Sequence, residues 1–153
     1  MFVRQKSHKM ETTTTNWVLG HKVTAHPTTG DYDLMIAETP ANMQGPPPHL
    51  HQSLKEAFLV LEGEMEFMVN GESRIVKAGE SVDIPPNTLH TFSNKSENAC
   101  KWVNIHSPKG FRQFFEKLGV SDEEENAQEK SLAPELIQKV IRTAGDFDMH
   151  IKM

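Results

Sequence analysis

The amino-acid sequence predicts an all-β barrel or sandwich followed by two α-helices. Short stretches rich in β-branched and aromatic residues recur along residues 17–106, and turn signals separate them at intervals of about 8–12 residues. After Ser107 the apolar spacing changes from period two to that of a helix. With 153 residues, the chain has room for one domain with a substantial core.

The N-terminal part of the chain is predicted to contribute an arm and two strands. Residues 1–15 are polar and suit either a frayed N-terminal arm or an edge strand that pairs with a partner subunit. Strands are predicted at residues 17–24 and 32–38. His21 and His26 have no ligand-like spacing to other candidates, so they are interpreted as surface or turn residues.

The centre of the chain is predicted to form a series of antiparallel strands. Asn70-Gly71 is a strong hairpin signal, because a type I′ turn requires positive φ at both positions. Cys100 is predicted to lie in the last strand as a small buried apolar residue. The strands are predicted at residues 57–61, 65–69, 73–76, 81–84, 91–94 and 99–106.

The C-terminal part is predicted to contain two amphipathic helices. Ser107 suits a helix cap, and an i, i+3, i+4, i+7 stripe follows at Phe111, Phe114, Phe115 and Leu118. An acidic stretch, residues 121–129, is interpreted as a solvated loop. The second helix is predicted from Pro134 to Gly145. Residues 1–107 are thus predicted to be a β-barrel, and residues 108–153 a helical extension of the same domain, packed outside the barrel or across a dimer.

Composition argues against several classes of partner. The formal net charge is -5 and no basic stripe is present, so no nucleic-acid partner is expected. No apolar run is long enough to span a membrane, and the N-terminus lacks the apolar core of a signal peptide. A single cysteine excludes an intrachain disulfide. These observations predict a cytoplasmic protein without a membrane partner.

Half of a metal site is visible between Gly45 and Gly63. His49 and His51 are one residue apart, so on a strand their side chains point to the same face, and Glu56 follows five residues later. Three consecutive prolines precede His49 and stiffen its approach. Two imidazoles and a carboxylate on one face suit a transition metal. His90, considered alone, is more often a satisfied core histidine than a ligand.

Two segments together resemble the paired motifs of the cupin superfamily. The first motif is matched by His49, His51, Glu56 and Gly63, and the second by Gly79, Pro85, Asn87, His90 and Asn94. Asn87 stands where that motif has glycine, and asparagine tolerates the left-handed conformation required there. The resemblance implies a double-stranded β-helix, or jelly-roll barrel, in which His49, His51, Glu56 and His90 converge on one metal. It also implies a homodimer.

A finer resemblance points to small single-domain bacterial cupins of the quercetin-dioxygenase-like type. It rests on the run from Gly45 to His51, on Val60–Gly63, on Ile84–Asn87 and on the helical tail that opens at Ser107. Similarity to that group raises the expectation of oxygen chemistry without settling the reaction.

A centre of three neutral imidazoles and one carboxylate suits one divalent first-row metal, whether iron, manganese, nickel, cobalt, copper or zinc. Four protein ligands leave open positions at which an enolate, catecholate or hydroxy-ketone oxygen of a small-molecule substrate would bind. Glu56 is the candidate catalytic residue. It would serve either as a permanent ligand or as a base that leaves the metal to take a substrate proton, and the sequence does not decide between these roles.

Strand alternation predicts an apolar lining for the site. Phe58 and Val60 share the face of Glu56, while Phe92 and Asn94 share that of His90, and Met65 and Phe67 are predicted to point inward from a neighbouring strand. Such a pocket suits a small aromatic or hydrophobic ligand. The alternative is that the phenylalanines simply fill a small barrel.

Three functions are therefore considered from the sequence. The first is a metal-dependent dioxygenase-type oxidoreductase acting on a small apolar substrate that bears oxygen. The second is a metal-dependent isomerase or hydrolase in which the metal acts only as a Lewis acid. The third is a non-enzymatic cupin that binds a small molecule.

Overall fold

Two antiparallel β-sheets pack face to face as a jelly-roll barrel, and three short α-helices follow the barrel strands. This arrangement is seen in a computed structural model, which describes residues 11–153. Residues 1–10 of the predicted N-terminal arm lie outside the described range, and Thr14 and Thr15 belong to the first strand. The predicted all-β jelly-roll with C-terminal helices is confirmed.

The larger sheet has seven strands in the spatial order β12-β1-β2-β3-β11-β6-β9. The smaller sheet has six strands; five follow the order β13-β5-β10-β7-β8, and β4 pairs with β10. The strands are β1 (Thr14–Val18), β2 (His21–His26), β3 (Asp33–Thr39), β4 (Met43–Gln44), β5 (His49–Leu50), β6 (Lys55–Glu62), β7 (Glu64–Val69), β8 (Glu72–Lys77), β9 (Ser81–Ile84), β10 (His90–Asn94), β11 (Cys100–Ser107), β12 (Val120–Ser121) and β13 (His150–Ile151).

The two predicted helices are present, with shifted boundaries. The first, α1 (Arg112–Leu118), begins later than expected because Ser107 still belongs to β11. The predicted cap at Ser107 is therefore wrong. Instead the Asp33 carboxylate accepts the backbone N–H groups of Gly110 and Arg112, at 2.7 and 3.1 Å, and fixes the start of the helix from another strand.

The segment interpreted as a solvated acidic loop contains structure of its own. It includes strand β12 and a short helix, α2 (Ala127–Ser131), whose Ala127 is buried. The second predicted helix is α3 (Pro134–Thr143), and it continues into a 3₁₀ turn over Ala144–Phe147. Within residues 11–153, no helix combines the length and apolarity needed to cross a bilayer.

The strand predicted at residues 17–24 is two strands. Leu19 and Gly20 have φ of 50° and 85°, and these two residues form the hairpin turn between β1 and β2. Two positive φ values are typical of a type I′ turn, but leucine rarely occupies such a position, so this turn has only a weak sequence signal. The turn places His21 at the start of β2, where it is buried together with Val23 and Ala25.

Elsewhere in the barrel, turn chemistry and strand alternation hold as predicted. Asn70, Gly71 and Asn87 all have positive φ, at 50°, 83° and 62°. Cys100 is fully buried at the start of β11, and burial raises the pKa of its thiol to about 11. Gly45 is required for a different reason: a Cβ there would lie 1.8 Å from the Phe92 carbonyl oxygen. The chain leading to His49 can therefore pass directly against β10.

Candidate metal centre

Three strands bring four potential metal ligands together inside the barrel. His49 lies on β5 directly opposite His90 on β10, Glu56 lies on β6, and His51 follows β5. All four side chains are buried, and one ligand atom from each lies within 4.8 Å of the others. The spacing of the two sequence motifs thus corresponds to a single cluster in space.

Backbone carbonyls fix the orientation of all three histidines. The Nδ1 atoms of His49, His51 and His90 lie 3.0, 2.8 and 2.8 Å from the carbonyl oxygens of Pro47, Asp148 and Thr88, respectively. A carbonyl oxygen only accepts hydrogen bonds, so each Nδ1 must carry a proton. The lone pair of a neutral ring is then on Nε2, which is the tautomer that metal-binding histidines adopt when their other nitrogen is held in this way.

The inner atoms of the cluster fit a cation. Nε2 of His51 and of His90 lie 3.2 and 3.0 Å from Oε2 of Glu56. The His51 contact is close, but its geometry does not satisfy a hydrogen bond. With neutral histidines, these inward lone pairs and the carboxylate oxygen would repel one another in a buried space. A proton or a metal ion resolves the conflict, and a donor set of imidazoles with one carboxylate suits a divalent transition metal.

Glu56 is held as a carboxylate by its surroundings. Burial alone would raise its pKa, but contacts with His106, His51 and His90 hold the pKa of Glu56 well below its ordinary value. Its second oxygen, Oε1, accepts hydrogen bonds from Nε2 of His106 and from Nδ2 of Asn104, both at 3.1 Å. One carboxylate oxygen therefore faces the histidine cluster, and the other faces two donors on β11.

The histidines of the cluster differ in their affinity for protons. Burial, together with the neighbouring His90, lowers the pKa of His49 to about 3. Burial also opposes the charged form of His51, but the Glu56 carboxylate and the Asp148 carbonyl outweigh it and raise the pKa of His51. In the metal-free protein, the surroundings of His51 thus favour its protonated form beside Glu56.

The C-terminal segment closes the cluster from one side. The Asp148 carboxylate accepts the backbone N–H groups of Gln52, Ser53 and Leu54, at distances from 2.8 to 3.0 Å. Strand β13 pairs with β5, with His150 opposite Leu50 and Ile151 opposite His49. The loop that carries His51 is consequently held by residues almost one hundred positions later in the chain.

An apolar cavity of about 60 Å³ adjoins the ligands. His49, His51 and Glu56 line it together with His21 and side chains from the barrel and from α1 and the residue before it. The apolar part of the lining comprises Val18, Leu19, Val23, Pro46, Phe58, Phe92, Trp102, Phe111, Phe114, Phe115 and Met149. The candidate metal centre thus opens onto a small, mainly hydrophobic space.

Two of the six residues predicted to line the pocket, Phe58 and Phe92, border this cavity. The others point into the barrel as strand alternation requires, but they lie outside this lining: Val60, Met65 and Phe67 belong to the buried core, and Asn94 donates to the carbonyls of Thr39, Pro40 and Asn98. Phe67 packs against Phe58 with ring centroids 4.9 Å apart. The interior phenylalanines therefore fill the barrel and also wall the cavity.

Sequence reasoning missed several residues around the site. His21, interpreted as a surface or turn residue, is 4% exposed and borders the cavity, so that interpretation is wrong. Its ring lies 2.9 Å from the Thr39 hydroxyl and 3.1 Å from the Gln44 carbonyl. His106 and Asn104 were overlooked, although alternation along β11 places both on the inward face. Phe111, Phe114 and Phe115 border the cavity instead of packing only on the outside of the barrel.

Comparison with known proteins agrees with the fold. The cupin domain family model matches residues 35–106. Quercetin 2,3-dioxygenase of Bacillus subtilis is 32% identical over 71 residues, which is 46% of this chain and 21% of that protein. The HTH-type transcriptional regulator PuuR of Escherichia coli is 38% identical over 61 residues, which is 40% of this chain and 32% of the regulator.

The structure of KdgF from Halomonas sp. has the same fold, with a TM-score of 0.58 and 19% identity over 74% of this chain and 97% of that one. The fold and the buried histidine and carboxylate cluster define a cupin with a candidate metal site. Residues 35–106 of the chain are thus a cupin domain. The chain spans less than a third of the length of the two curated relatives described above.

Proposed function

We propose that this protein is a metal-dependent enzyme of the dioxygenase type, acting on a small, mainly apolar substrate that bears an oxygen ligand. The observation that carries the proposal is the opening of the four-ligand cluster onto an apolar cavity. A purely structural site is normally closed by its protein ligands, whereas a catalytic site keeps a position for substrate. The partial similarity to quercetin 2,3-dioxygenase supports oxygen chemistry over other reactions.

A metal held by His49, His51, Glu56 and His90 would supply Lewis acidity and, if redox-active, electrons for reaction with dioxygen. The protein would supply orientation. Carbonyl acceptors hold each imidazole at Nδ1, so the rings do not turn away when substrate arrives. Phe58, Phe92 and Phe111 would exclude water from the reacting groups and stack against an apolar substrate.

The size of the cavity limits the substrate. A cavity of about 150 Å³ accommodates benzene in another protein, and the space here is about 60 Å³. Compact molecules such as short β-diketones or α-hydroxyketones would need the least widening of this space. A flavonol would require Phe111 and Phe115 to move aside. We therefore favour a substrate much smaller than quercetin.

Oxygen consumption by the reconstituted protein tests this proposal. Apoprotein is loaded separately with iron, manganese, nickel, cobalt, copper or zinc and mixed with short diketones, hydroxyketones, catechols and flavonols. We expect uptake with at least one redox-active metal, greatest for the compact substrates, and its loss in the His51→Ala variant. Metal-loaded protein that consumes no oxygen with any member of the panel would overturn the dioxygenase proposal.

A second candidate is a binding module that recognises a small molecule without turning it over. It is favoured by the similarity to the regulator PuuR, which has the higher identity of the two curated relatives described. Binding of a diketone to the metal-loaded protein, detected by calorimetry without consumption of oxygen or ligand, supports this candidate. Oxygen-independent conversion would instead support a Lewis-acid isomerase or hydrolase.

We also propose that the protein forms a homodimer through the outer face of the larger sheet. Leu59, Leu61 and Ile105 are between 38 and 40% exposed on this face. Val103 lies between Leu59 and Ile36 in the strand register, so the apolar residues are adjacent. A second copy offers an identical face, and isologous pairing covers both at once. The cytoplasmic location expected from the sequence remains a prediction.

A further inference from the structure

We propose that His106 and Asn104 are positioning residues that hold Glu56 with a single oxygen in the metal site, so that Glu56 is a fixed ligand and not the group that takes a substrate proton. The inference rests on metal binding at the proposed site, but it does not depend on which reaction follows. It decides between the two roles that the sequence left open for Glu56.

The two oxygens of Glu56 have separate partners. Oε2 lies beside Nε2 of His51 and His90, on the side where the metal would bind. Oε1 is 3.1 Å from Nε2 of His106 and 3.1 Å from Nδ2 of Asn104. A carboxylate oxygen accepts only, so both of these nitrogens donate. The carboxylate is thus anchored at one oxygen and free to coordinate with the other.

The anchors themselves are firmly placed. His106 is fully buried and Asn104 is 3% exposed, and both come from β11, which pairs with the strand that carries Glu56. His106 lies opposite Glu56 in the strand register, and Asn104 also donates to the Ala57 carbonyl at 3.2 Å. Phe111 covers the His106 ring, with centroids 4.5 Å apart. The donors therefore have no room to follow a carboxylate that swings away.

Departure of Glu56 from the metal would leave the buried Nε2–H of His106 without an acceptor and would leave Asn104 Nδ2 with the Ala57 carbonyl alone. Within the described residues, His106 Nδ1 already has no hydrogen-bond partner, so the ring gains nothing by turning over. Binding of the metal through both oxygens is opposed for the same reason, because Oε1 would have to leave its donors. The geometry consequently favours one stable arrangement, with one coordinating oxygen, before and after substrate enters.

The test compares His106→Leu, which keeps a similar volume without a donor, with His106→Gln, whose amide still donates. Cobalt(II) affinity and the visible spectrum of the cobalt-loaded protein are measured for both, for the wild type and for His26→Gln, a histidine outside the site. We expect His106→Leu to bind cobalt about 10–100-fold more weakly. We also expect weaker d–d bands, because a second Glu56 oxygen joins the coordination. His106→Gln and His26→Gln should resemble the wild type in both measurements.

Unchanged affinity and spectrum in His106→Leu would overturn the inference, and so would an equal loss in His106→Gln, which would indicate a packing role. If His106→Leu fails to fold, as judged by circular dichroism of the apoprotein, Asn104→Leu is measured in its place with the same expectation. A wild-type protein that binds no cobalt would overturn the proposed metal site itself. Metal binding without oxygen consumption would overturn only the dioxygenase proposal.

Discussion

The Nδ1–H of His51 donates to the backbone carbonyl of Asp148 across 2.8 Å, and this contact joins a candidate metal ligand in the first half of the chain to its C-terminal segment. The same aspartate uses its carboxylate to hold the three backbone N–H groups that follow His51. Hydrogen bonds to a charged carboxylate are stronger than those between neutral groups. Asp148 thus holds His51 through its backbone carbonyl and holds the loop after His51 through its carboxylate.

Replacing Asp148 by alanine is expected to weaken metal binding by about 10–100-fold, because the loop that carries His51 loses its carboxylate support. Calorimetric titration of the apoprotein with cobalt or zinc measures the change. Asp146→Ala is the matched control, since Asp146 is exposed in the 3₁₀ turn just before Asp148 and makes none of these contacts. Equal affinities in the two variants would show that the loop is positioned without Asp148.

Metal binding is expected to release a proton from His51. The pKa of His51 is raised in the metal-free protein, whereas that of His49 is lowered to about 3, so the charged form of His51 persists to higher pH than that of His49. A metal needs the neutral ring. Below the raised pKa of His51, affinity should therefore fall by about tenfold per pH unit. Calorimetry in two buffers of different ionisation enthalpy measures this proton release, and identical apparent binding enthalpies in the two buffers would contradict it.

His21 is expected to destabilise the protein as the pH falls. Burial lowers its pKa from 6.5 to about 4, so between these values the unfolded chain binds a proton that the folded protein does not. This contribution to stability is complete above pH 6.5 and is lost as the pH falls toward 4. At about pH 5 the free energy of unfolding is lower by about 2 kcal/mol for this reason.

Urea unfolding of the wild type and His21→Asn, at about pH 7.5 and pH 5, measures this effect. Asparagine does not titrate, so the variant should lose about 2 kcal/mol less than the wild type on acidification. His26→Asn serves as the control, since His26 is not fully buried and lies at the far end of the same strand. An equal loss of unfolding free energy on acidification in the wild type and in His21→Asn would show that His21 is not the source of the effect.

Phe111 is expected to limit the size of ligands. Its ring borders the cavity and packs against His51 at a centroid distance of 5.5 Å. Phe111→Leu should admit catechol-sized ligands to the metal-loaded protein more readily, lowering their Kd by about tenfold. The substitution should cost about 1–2 kcal/mol of stability. Phe147→Leu is the control, because Phe147 packs on Phe114 without bordering the cavity. A parallel rise in ligand affinity in both variants would indicate a general loosening of the fold and would contradict a specific role for Phe111.

A charge on the outer face of the larger sheet is expected to prevent dimerisation. Leu59→Lys places an ammonium group in the middle of the apolar face, where a second copy would bury it unpaired. Sedimentation velocity should show a dimer for the wild type and a monomer for this variant. Ile75→Lys is the control, since Ile75 is 54% exposed on the other sheet. A monomeric wild type at micromolar concentration would remove the proposed interface.

Local patterns in the sequence carried enough information to predict the barrel and the four clustered residues. Period-two alternation along β6 is followed in the structure, where Glu56, Phe58 and Val60 are buried and their neighbours are more exposed. The Asn70-Gly71 turn forms where the required positive φ suits those residues. The histidines His49 and His51 have short spacing on a strand, so the pattern specifies a shared face regardless of the remaining chain.

Contacts between distant segments were not predictable in the same way. His106 is a single histidine in a strand, and nothing in its neighbourhood distinguishes a residue that anchors Glu56 from one that fills the core. The role of Asp148 depends on its left-handed backbone conformation, with φ of 60°. It also depends on a contact with His51, which lies almost one hundred residues earlier in the chain. His21 was misjudged because the Leu19–Gly20 turn, with a leucine at positive φ, carries a weak sequence signal.

The link between His51 and Asp148 also has a consequence for biosynthesis. His49, His51, Glu56 and His90 leave the ribosome long before residues 148–151, which supply the carbonyl for His51 and the strand that pairs with β5. A nascent chain can therefore expose the four ligand side chains without yet holding them in their final orientation. If the proposed metal site is occupied in the protein, selection of the metal by a shaped centre would be a post-translational event, because an ion bound during synthesis would meet a flexible and less discriminating set of ligands.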